Sequence, residues 1–178
     1  MTSVRRLCVV WCRAVAFLWR LLHRREACVR WLRRSYELQG IVFTGEPRYI
    51  DASVRLDGLG GLTIGEGVVM SVDVLVLTHD YSITTGLSAA GVLLKTDIAV
   101  RAPVRIGTKC FLGARSVILP GTVLGDHVIV GAGAVVRGVI ASDSILVGNP
   151  AVVVKRASEW ALAKRNKMPA DQMHEDLR

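Results

Sequence analysis

Residues 100–136 read VRAPVRIGTKCFLGARSVILPGTVLGDHVIVGAGAVV. In this stretch every sixth residue is Ile, Leu or Val: Val100, Ile106, Leu112, Ile118, Leu124, Val130 and Val136. The residue four places after each aliphatic is small or branched: Val104, Cys110, Ser116, Thr122, Val128 and Ala134. A period of six fits neither an α-helix nor an alternating strand. It predicts a coil of short strands and corners, with the aliphatic side chains pointing inward on every face.

Glycine follows the aliphatic at 107, 113, 125 and 131, where we expect it to supply the positive φ of a tight corner. The same register recurs upstream at Ile64, Met70 and Val76, and an earlier coil begins near Ile50. We therefore predict an all-β solenoid over residues 41–156, with a loop at about 82–99. A short helix capped by Ser158 and a tail follow at 157–178.

The net charge of +8 arises from the N-terminal segment. Residues 1–34 hold nine arginines and one glutamate, and the remaining 144 residues are formally neutral. A nucleic-acid partner is therefore not predicted. Residues 1–40 read as an Arg-rich amphipathic helical segment. Two interpretations of residues 4–34 stay open: the segment lies on an anionic membrane surface, or it packs on the solenoid or on a second subunit.

Four cysteines, at 8, 12, 28 and 110, form neither a disulfide ladder nor a CxxC pair. This usage favours a reducing, cytoplasmic location. The uninterrupted apolar run from Leu7 to Cys12 is far too short to span a bilayer. We therefore expect a cytoplasmic protein, with peripheral placement at the inner face of the membrane as the alternative.

The repeat is interrupted between about Ser82 and Val100, and the six residues before the break, 76–81, read VLTHDY, which puts His79 at the base of the loop. Long loops in a regular solenoid are often functional. A neutral imidazole suits proton abstraction near pH 7. The other histidines lie in the basic segment (His23), at a coil corner (His127) and in the tail (His174). Composition alone leaves a structural role for His79 open.

Several motifs accompany the repeat: Ile106-Gly107, Leu119-Pro120-Gly121, Leu124-Gly125-Asp126, Val130-Gly131-Ala132-Gly133-Ala134 and Gly148-Asn149-Pro150-Ala151. With them, residues 50–156 resemble the hexapeptide acyltransferase superfamily. Within it the chain is similar to the maltose and galactoside acetyltransferase branch, especially bacterial polysaccharide O-acetyltransferases. The resemblance implies a left-handed parallel β-helix with three faces per coil, and a homotrimer with active sites between subunits.

The resemblance also implies transfer of acetyl from acetyl-CoA to a hydroxyl of a sugar or polysaccharide precursor, directly within a ternary complex. His79 would be the general base and the backbone N–H of Ala114 the oxyanion donor. The positions matching coenzyme A contacts are Phe111, Gly113, Ala132, Gly133, Arg137 and Lys155. Asp57, Asp80 and Tyr81 are candidate acceptor contacts. Thr78, Phe111 and Arg137-Gly138 depart from the Asn, Trp and Thr-Lys that relatives often have at these places.

Three alternative functions share this architecture or this chemistry. One is N-acetylation of a nucleotide-linked amino sugar, which the residues do not distinguish from O-acetylation. Another is a non-catalytic β-helix scaffold. The last is a zinc hydratase, which requires three histidines around the metal, whereas the β-helix supplies only His79 and His127. No metal is therefore predicted.

Overall fold

A computed structural model gives the structure of residues 3–169. The helices in this range are α1 (Ser3–Leu21), α2 (Arg25–Glu37), α3 (Ser82–Ala89) and α4 (Ala157–Lys167). The strands are β1 (Val42–Phe43), β2 (Tyr49–Ile50), β3 (Arg55–Leu56), β4 (Leu62–Ile64), β5 (Val69–Met70), β6 (Leu75–Val76), β7 (His79–Asp80), β8 (Val100–Arg101), β9 (Val104–Ile106), β10 (Phe111–Leu112), β11 (Val117–Ile118), β12 (Val123–Leu124), β13 (Ile129–Val130), β14 (Val135–Val136), β15 (Val139–Ile140), β16 (Ser144–Val147) and β17 (Val152–Arg156).

The strands stack into three parallel sheets that form the faces of a prism. Face A contains β1, β4, β9, β12 and β15; face B contains β2, β5, β10, β13 and β16; face C contains β3, β6, β11 and β14. Successive strands along the chain visit faces A, B and C in turn, so each coil contributes one strand to each face. The antiparallel strand β17 closes face B. This confirms the predicted β-helix.

The core consists of the aliphatic side chains that the repeat predicted. From Ile106 to Val136 they are all at most 3% exposed, and Ile50, Ile64, Met70 and Val76 continue the series upstream at 1% or less. The small residues between them, from Val104 to Ala134, are also at most 1% exposed. Val100 is the exception, since it lies in β8 outside the coil and is 45% exposed. Its predicted inward position was wrong because the loop extends through it.

The corner glycines are required for a different reason from the one expected. Within the described chain, Gly107 and Gly113 do not have positive φ. A Cβ on Gly107 would lie 2.5 Å from the carbonyl carbon of Gly125 in the next coil, so the coils approach too closely for a side chain. Positive φ falls two residues later, for example at Arg115 (φ 59) and His127 (φ 58).

The N-terminal segment forms two helices that pack against each other, and α2 also packs on the first coil. The buried Tyr36 hydroxyl of α2 donates a hydrogen bond to the carbonyl oxygen of Val54, at 2.5 Å. Across the described helices, no stretch combines the length and apolar character needed to cross a bilayer.

The C-terminal helix begins one residue earlier than predicted, at Ala157, and Ser158 is not its N-cap. Instead, the carboxylate of Asp143 accepts hydrogen bonds from the Ser158 N–H (2.7 Å) and hydroxyl (2.7 Å). A carboxylate from the preceding coil therefore caps the helix, which local sequence did not indicate. The predicted tail beyond Pro169, with His174, lies outside the described residues.

Candidate active site

The candidate site lies at the corner where face C ends and face A begins, here named the C–A corner. Asp57 directly follows β3, and His79 follows β6 by three residues. Because β3 and β6 pair in register, Leu56 beside Val76, the two polar residues are brought to the same corner of adjacent coils. The chain from Leu56 takes eight residues to reach the inward Ile64, rather than six, so this corner contains two extra residues.

Asp57 is the centre of a hydrogen-bond cluster. Its Oδ2 lies 2.5 Å from Nδ1 of His79 and accepts bonds from the Thr78 hydroxyl (2.5 Å) and N–H (2.9 Å). Its Oδ1 accepts the N–H of Leu59 at 2.9 Å. The side chains of Asp57 and His79 are 15% and 24% exposed. Both carboxylate oxygens are thus engaged within the chain, which differs from the acceptor contact expected for Asp57.

These bonds keep Asp57 ionised. Burial by itself would raise its pKa, but the hydrogen bonds from Thr78, Leu59 and His79 outweigh burial and lower the pKa from 3.8 to about 2. An ionised carboxylate can only accept hydrogen bonds, so Nδ1 of His79 must carry the proton that it shares with Asp57. In the neutral imidazole, Nε2 then has a free lone pair. Such a nitrogen can take a proton from a nearby hydroxyl.

Thr78 is a member of this hydrogen-bond cluster whose place in it was not predicted from the sequence. It is fully buried, and besides donating to Asp57 its hydroxyl accepts the N–H of Gly60 at 2.8 Å. A Cβ on Gly60 would lie 2.1 Å from the Thr78 carbonyl oxygen, so only glycine permits this approach. The sequence drew attention to Thr78 only as a departure from asparagine. The sequence feature that could have predicted the packing of Thr78 is the glycine-rich run Gly58–Gly61 one coil earlier, because it indicates close backbone packing.

The residues after His79 shape the rim of the site. Tyr81 sets its ring edge to face against the imidazole, with centroids 5.5 Å apart and planes at 86°. The Asp80 carboxylate accepts the N–H (2.7 Å) and hydroxyl (2.9 Å) of Ser82, at the start of α3. These bonds and the positive charge of Arg137 lower the pKa of Asp80. Asp80 therefore fixes the loop helix, while Tyr81, 48% exposed, faces the opening.

Three of the six expected coenzyme A residues, Gly113, Ala132 and Gly133, lie at another corner, between faces B and C, here named the B–C corner. Gly113 and Ala114 turn this corner in one coil, and Ala132 and Gly133 turn it in the next, where the Gly133 N–H donates to the Ala114 carbonyl at 2.8 Å. Ala132 and Gly133 are exposed. Within residues 3–169 the N–H of Ala114 has no acceptor, so it remains a free donor.

Phe111 and Lys155 are on face B beside this corner. They belong to one register column, in which Phe111 pairs with Ile129, Ile129 with Ile145, and Ile145 with Lys155. Three strand spacings separate them by about 14 Å. Lys155 borders an open cleft with Trp160, Lys164 and Lys167 of α4. A long ligand with an anionic end could lie along this column.

The structure does not bring His79 and Ala114 together in one chain. They stand at opposite ends of face C, which spans about five extended residues and so about 15 Å. Arg137, which follows β14, lies at the C–A corner with His79 rather than with the other expected coenzyme A residues. The expected site residues therefore form two separate groups within one chain, one around His79 and one around Ala114.

Comparisons with known proteins agree with the fold. Residues 103–137 match the family model "Hexapeptide repeat of succinyl-transferase". The structure of a galactoside acetyltransferase in complex with coenzyme A superimposes over all of this chain and 90% of that chain, with a TM-score of 0.59 and 16% identity. At this identity the likeness bears on the fold alone, and it supports the left-handed β-helix that the repeat predicted.

Two curated relatives are acetyltransferases by name. A putative lipopolysaccharide biosynthesis O-acetyl transferase of Escherichia coli K12 is 26% identical over 121 residues, which are 66% of this chain and 62% of that protein. A probable acetyltransferase of Mycobacterium tuberculosis is 40% identical over 80 residues, 43% of this chain and 27% of that protein. The chain therefore spans less than two thirds of either relative. Residues 103–137 thus carry the hexapeptide repeat, and the proteins to which this chain is similar include named acetyltransferases.

Proposed function

We propose that the protein is an acetyl-CoA-dependent O-acetyltransferase that acts on a hydroxyl of a sugar or polysaccharide precursor. The observation that carries the proposal is the cluster of Asp57, Thr78 and His79, which leaves Nε2 of His79 free to act as a base. The E. coli relative is named as an O-acetyl transferase of lipopolysaccharide biosynthesis, and this supports a glycan acceptor.

In the proposed mechanism, Nε2 of His79 takes the proton of the acceptor hydroxyl as its oxygen attacks the thioester carbonyl of acetyl-CoA. Asp57 is a positioning residue, because its ionised carboxylate holds the imidazole through Nδ1 and stabilises the imidazolium that forms. The N–H of Ala114 would donate to the oxyanion of the tetrahedral intermediate. Collapse of that intermediate expels the coenzyme A thiolate, which recovers a proton from the imidazolium. No covalent acetyl-enzyme forms.

Coenzyme A would lie along the B–C corner and face B. The exposed backbone at Ala132 and Gly133 permits close approach of an extended chain, with Phe111 beside it. Lys155, together with Lys164 and Lys167 on the neighbouring cleft, offers positive charge to the phosphates. Arg137 would reach the same ligand from the C–A corner of another subunit. Tyr81 is left to contact the acceptor.

We propose a homotrimer in which the C–A corner of one subunit faces the B–C corner of the next. The support is the separation of about 15 Å between His79 and Ala114 within one chain, which is too long for both to act on one carbonyl group. A rotation that repeats this contact three times closes the ring and completes three sites. Each site then takes its base from one chain and its oxyanion donor from another.

Mixed subunits test this arrangement. A chain with His79→Asn and a chain with Ala132→Trp are each expected to be inactive, the second because indole fills the proposed coenzyme A groove. When the two chains are co-expressed in equal amounts, an active site forms only where the Ala132→Trp chain supplies His79 and the His79→Asn chain supplies the coenzyme A groove. About one quarter of the wild-type number of sites should therefore be active. A mixture that stays inactive while its mass corresponds to a trimer would contradict shared sites.

Turnover tests the function itself. Purified protein is incubated with acetyl-CoA and a panel of sugars, amino sugars and glycans, and release of the free thiol is followed. Turnover with hydroxyl acceptors supports the proposal, whereas a strict preference for an amino sugar would favour N-acetylation. Absence of turnover, with no binding of coenzyme A in calorimetry, would favour a scaffold.

The free thiols of the chain fit the cytoplasmic location that we propose with this activity.

A further inference from the structure

Helix α1 has two apolar faces, and only one of them is covered. Val9, Cys12 and Ala16 are buried, with Ala16 part of the same core cluster as residues of α2. These positions follow helical spacing and account for the contact between α1 and α2. On the opposite side of α1, Trp11 contacts Trp31, and the large apolar side chains are more than half exposed.

This uncovered side, here named the outer face, is apolar along the whole helix. It consists of Val4, Leu7, Val10, Trp11, Ala14, Phe17, Leu18 and Leu21. Its seven large side chains are each 54% to 70% exposed. At 100° per residue these positions cover roughly 140° of the helix circumference. Exposed apolar surface of this extent indicates a contact that is missing from the isolated chain.

The charges beside the outer face indicate what covers it. Arg6, Arg13 and Arg20 recur at intervals of seven residues and line one edge of the face. Helix α1 contains no acidic residue. Two outer faces packed against each other would bring these arginine rows together without a compensating carboxylate from either helix. An anionic surface with an apolar interior complements both the arginines and the apolar side chains.

We propose that the outer face of α1 binds an anionic lipid membrane, with the helix lying in the interface and not crossing it. Trp11, whose ring packs edge to face on Trp31 at 4.9 Å, is held in place on this face, as suits an aromatic at the headgroup level. The exposed Arg6 contacts lipid phosphates at the edge of the helix, whereas the Arg13 guanidinium lies 5.4 Å from the centroid of the Tyr36 ring. The binding requires neither coenzyme A nor an acceptor, so it is independent of the proposed catalysis.

Vesicle flotation of the full chain tests the proposal. One set of vesicles contains phosphatidylglycerol and phosphatidylcholine in equal parts, and the other contains phosphatidylcholine alone. The double variant Leu7→Gln with Leu18→Gln removes two apolar contacts while keeping charge and helix propensity. Its matched control is Leu93→Gln with Leu162→Gln, two leucines that are 98% and 61% exposed elsewhere on the molecule. Circular dichroism and light scattering check the fold and the mass of each variant.

We expect the full chain and the control to float with the anionic vesicles. The Leu7 and Leu18 variant should bind at least about tenfold more weakly, because each leucine loses its transfer into the interface. Arg6→Gln should weaken binding about fivefold. Phosphatidylcholine alone should recover much less protein.

Any of the following results would overturn the proposal. In the first, the full chain does not float. In the second, the Leu7 and Leu18 variant floats as well as the control, or binding is equal with uncharged vesicles. In the third, this variant lowers the oligomeric mass, which would assign the outer face to a contact between copies of the chain.

Discussion

Substitution of Asp57 by Asn tests the cluster at the C–A corner with almost no change in side-chain shape. Oδ2 of Asp57 receives three donors, from His79 Nδ1 and from the hydroxyl and N–H of Thr78, and Oδ1 receives one from Leu59. The asparagine side chain has one oxygen that accepts hydrogen bonds. Its NH₂ group replaces the other oxygen and faces groups that also donate, so the hydrogen bonds on that side are lost. Nδ1 of His79 then loses its anionic partner, and with it the tautomer that leaves Nε2 free.

The effect on stability follows from the pKa of Asp57. Its decrease from 3.8 to about 2 corresponds to about 2 kcal/mol of folding free energy at neutral pH. Because the folded pKa is the lower one, this contribution is complete above about pH 4 and is lost as the pH falls through about 2. Urea unfolding should therefore show wild type more stable than Asp57→Asn by about 2 kcal/mol at neutral pH, and this difference should shrink toward pH 2.

The effect on catalysis distinguishes two roles for Asp57. If Asp57 positions the imidazole, Asp57→Asn should lower kcat about 100-fold while both KM values stay within about twofold. If Asp57 binds the acceptor, which is the role expected from the sequence, Asp57→Asn should raise the KM of the acceptor with little change in kcat. Steady-state kinetics at neutral pH, with acetyl-CoA and acceptor varied separately, measure this. An unchanged kcat would refute the positioning role.

Three further substitutions probe the site and the coil. Thr78→Val removes the hydroxyl that hydrogen-bonds to Asp57 and Gly60, so kcat should fall about tenfold. Thr78→Ser keeps the hydroxyl and should retain activity. Equal rates for the two variants would contradict a role for the hydroxyl. Gly107→Ala places a Cβ 2.5 Å from the next coil and should cost about 2 kcal/mol in urea unfolding. Its control, Gly86→Ala in α3, has nothing within 4 Å of the new Cβ and should be neutral or slightly stabilising; equal losses would refute the close-approach argument. Ala132→Trp should lower the affinity for coenzyme A in calorimetry at least about tenfold with unchanged circular dichroism, and an unchanged affinity would remove the B–C corner from the coenzyme A site.

The sequence predicted the coil well because its core is periodic. Each aliphatic at a sixth position must point inward for the chain to bury apolar surface, so Ile106 through Val136 could be assigned without a structure. The role of the glycines could not, since the same residue satisfies either positive φ or close packing. Only the spacing between coils, which brings Gly107 against Gly125, distinguishes the two reasons.

The site was only half predictable. His79 could be found because it adjoins a break in the period. Asp57 and Thr78 could not be assigned their roles, because their meeting depends on the register of β3 on β6 and on the extra residues at Gly58–Gly61. In the same way, a six-residue repeat does not reveal that the residues around His79 and those around Ala114 occupy different corners.

The histidine itself gives the most direct test of the proposed mechanism. His79→Asn is compared with His127→Asn, a matched control in which an exposed histidine at φ 58 is replaced by a residue that tolerates that conformation. Turnover with the best acceptor and coenzyme A affinity by calorimetry are measured for both. We predict that His79→Asn lowers kcat about 1,000-fold with unchanged coenzyme A affinity, while His127→Asn keeps full activity. Full activity of His79→Asn would contradict His79 as the base.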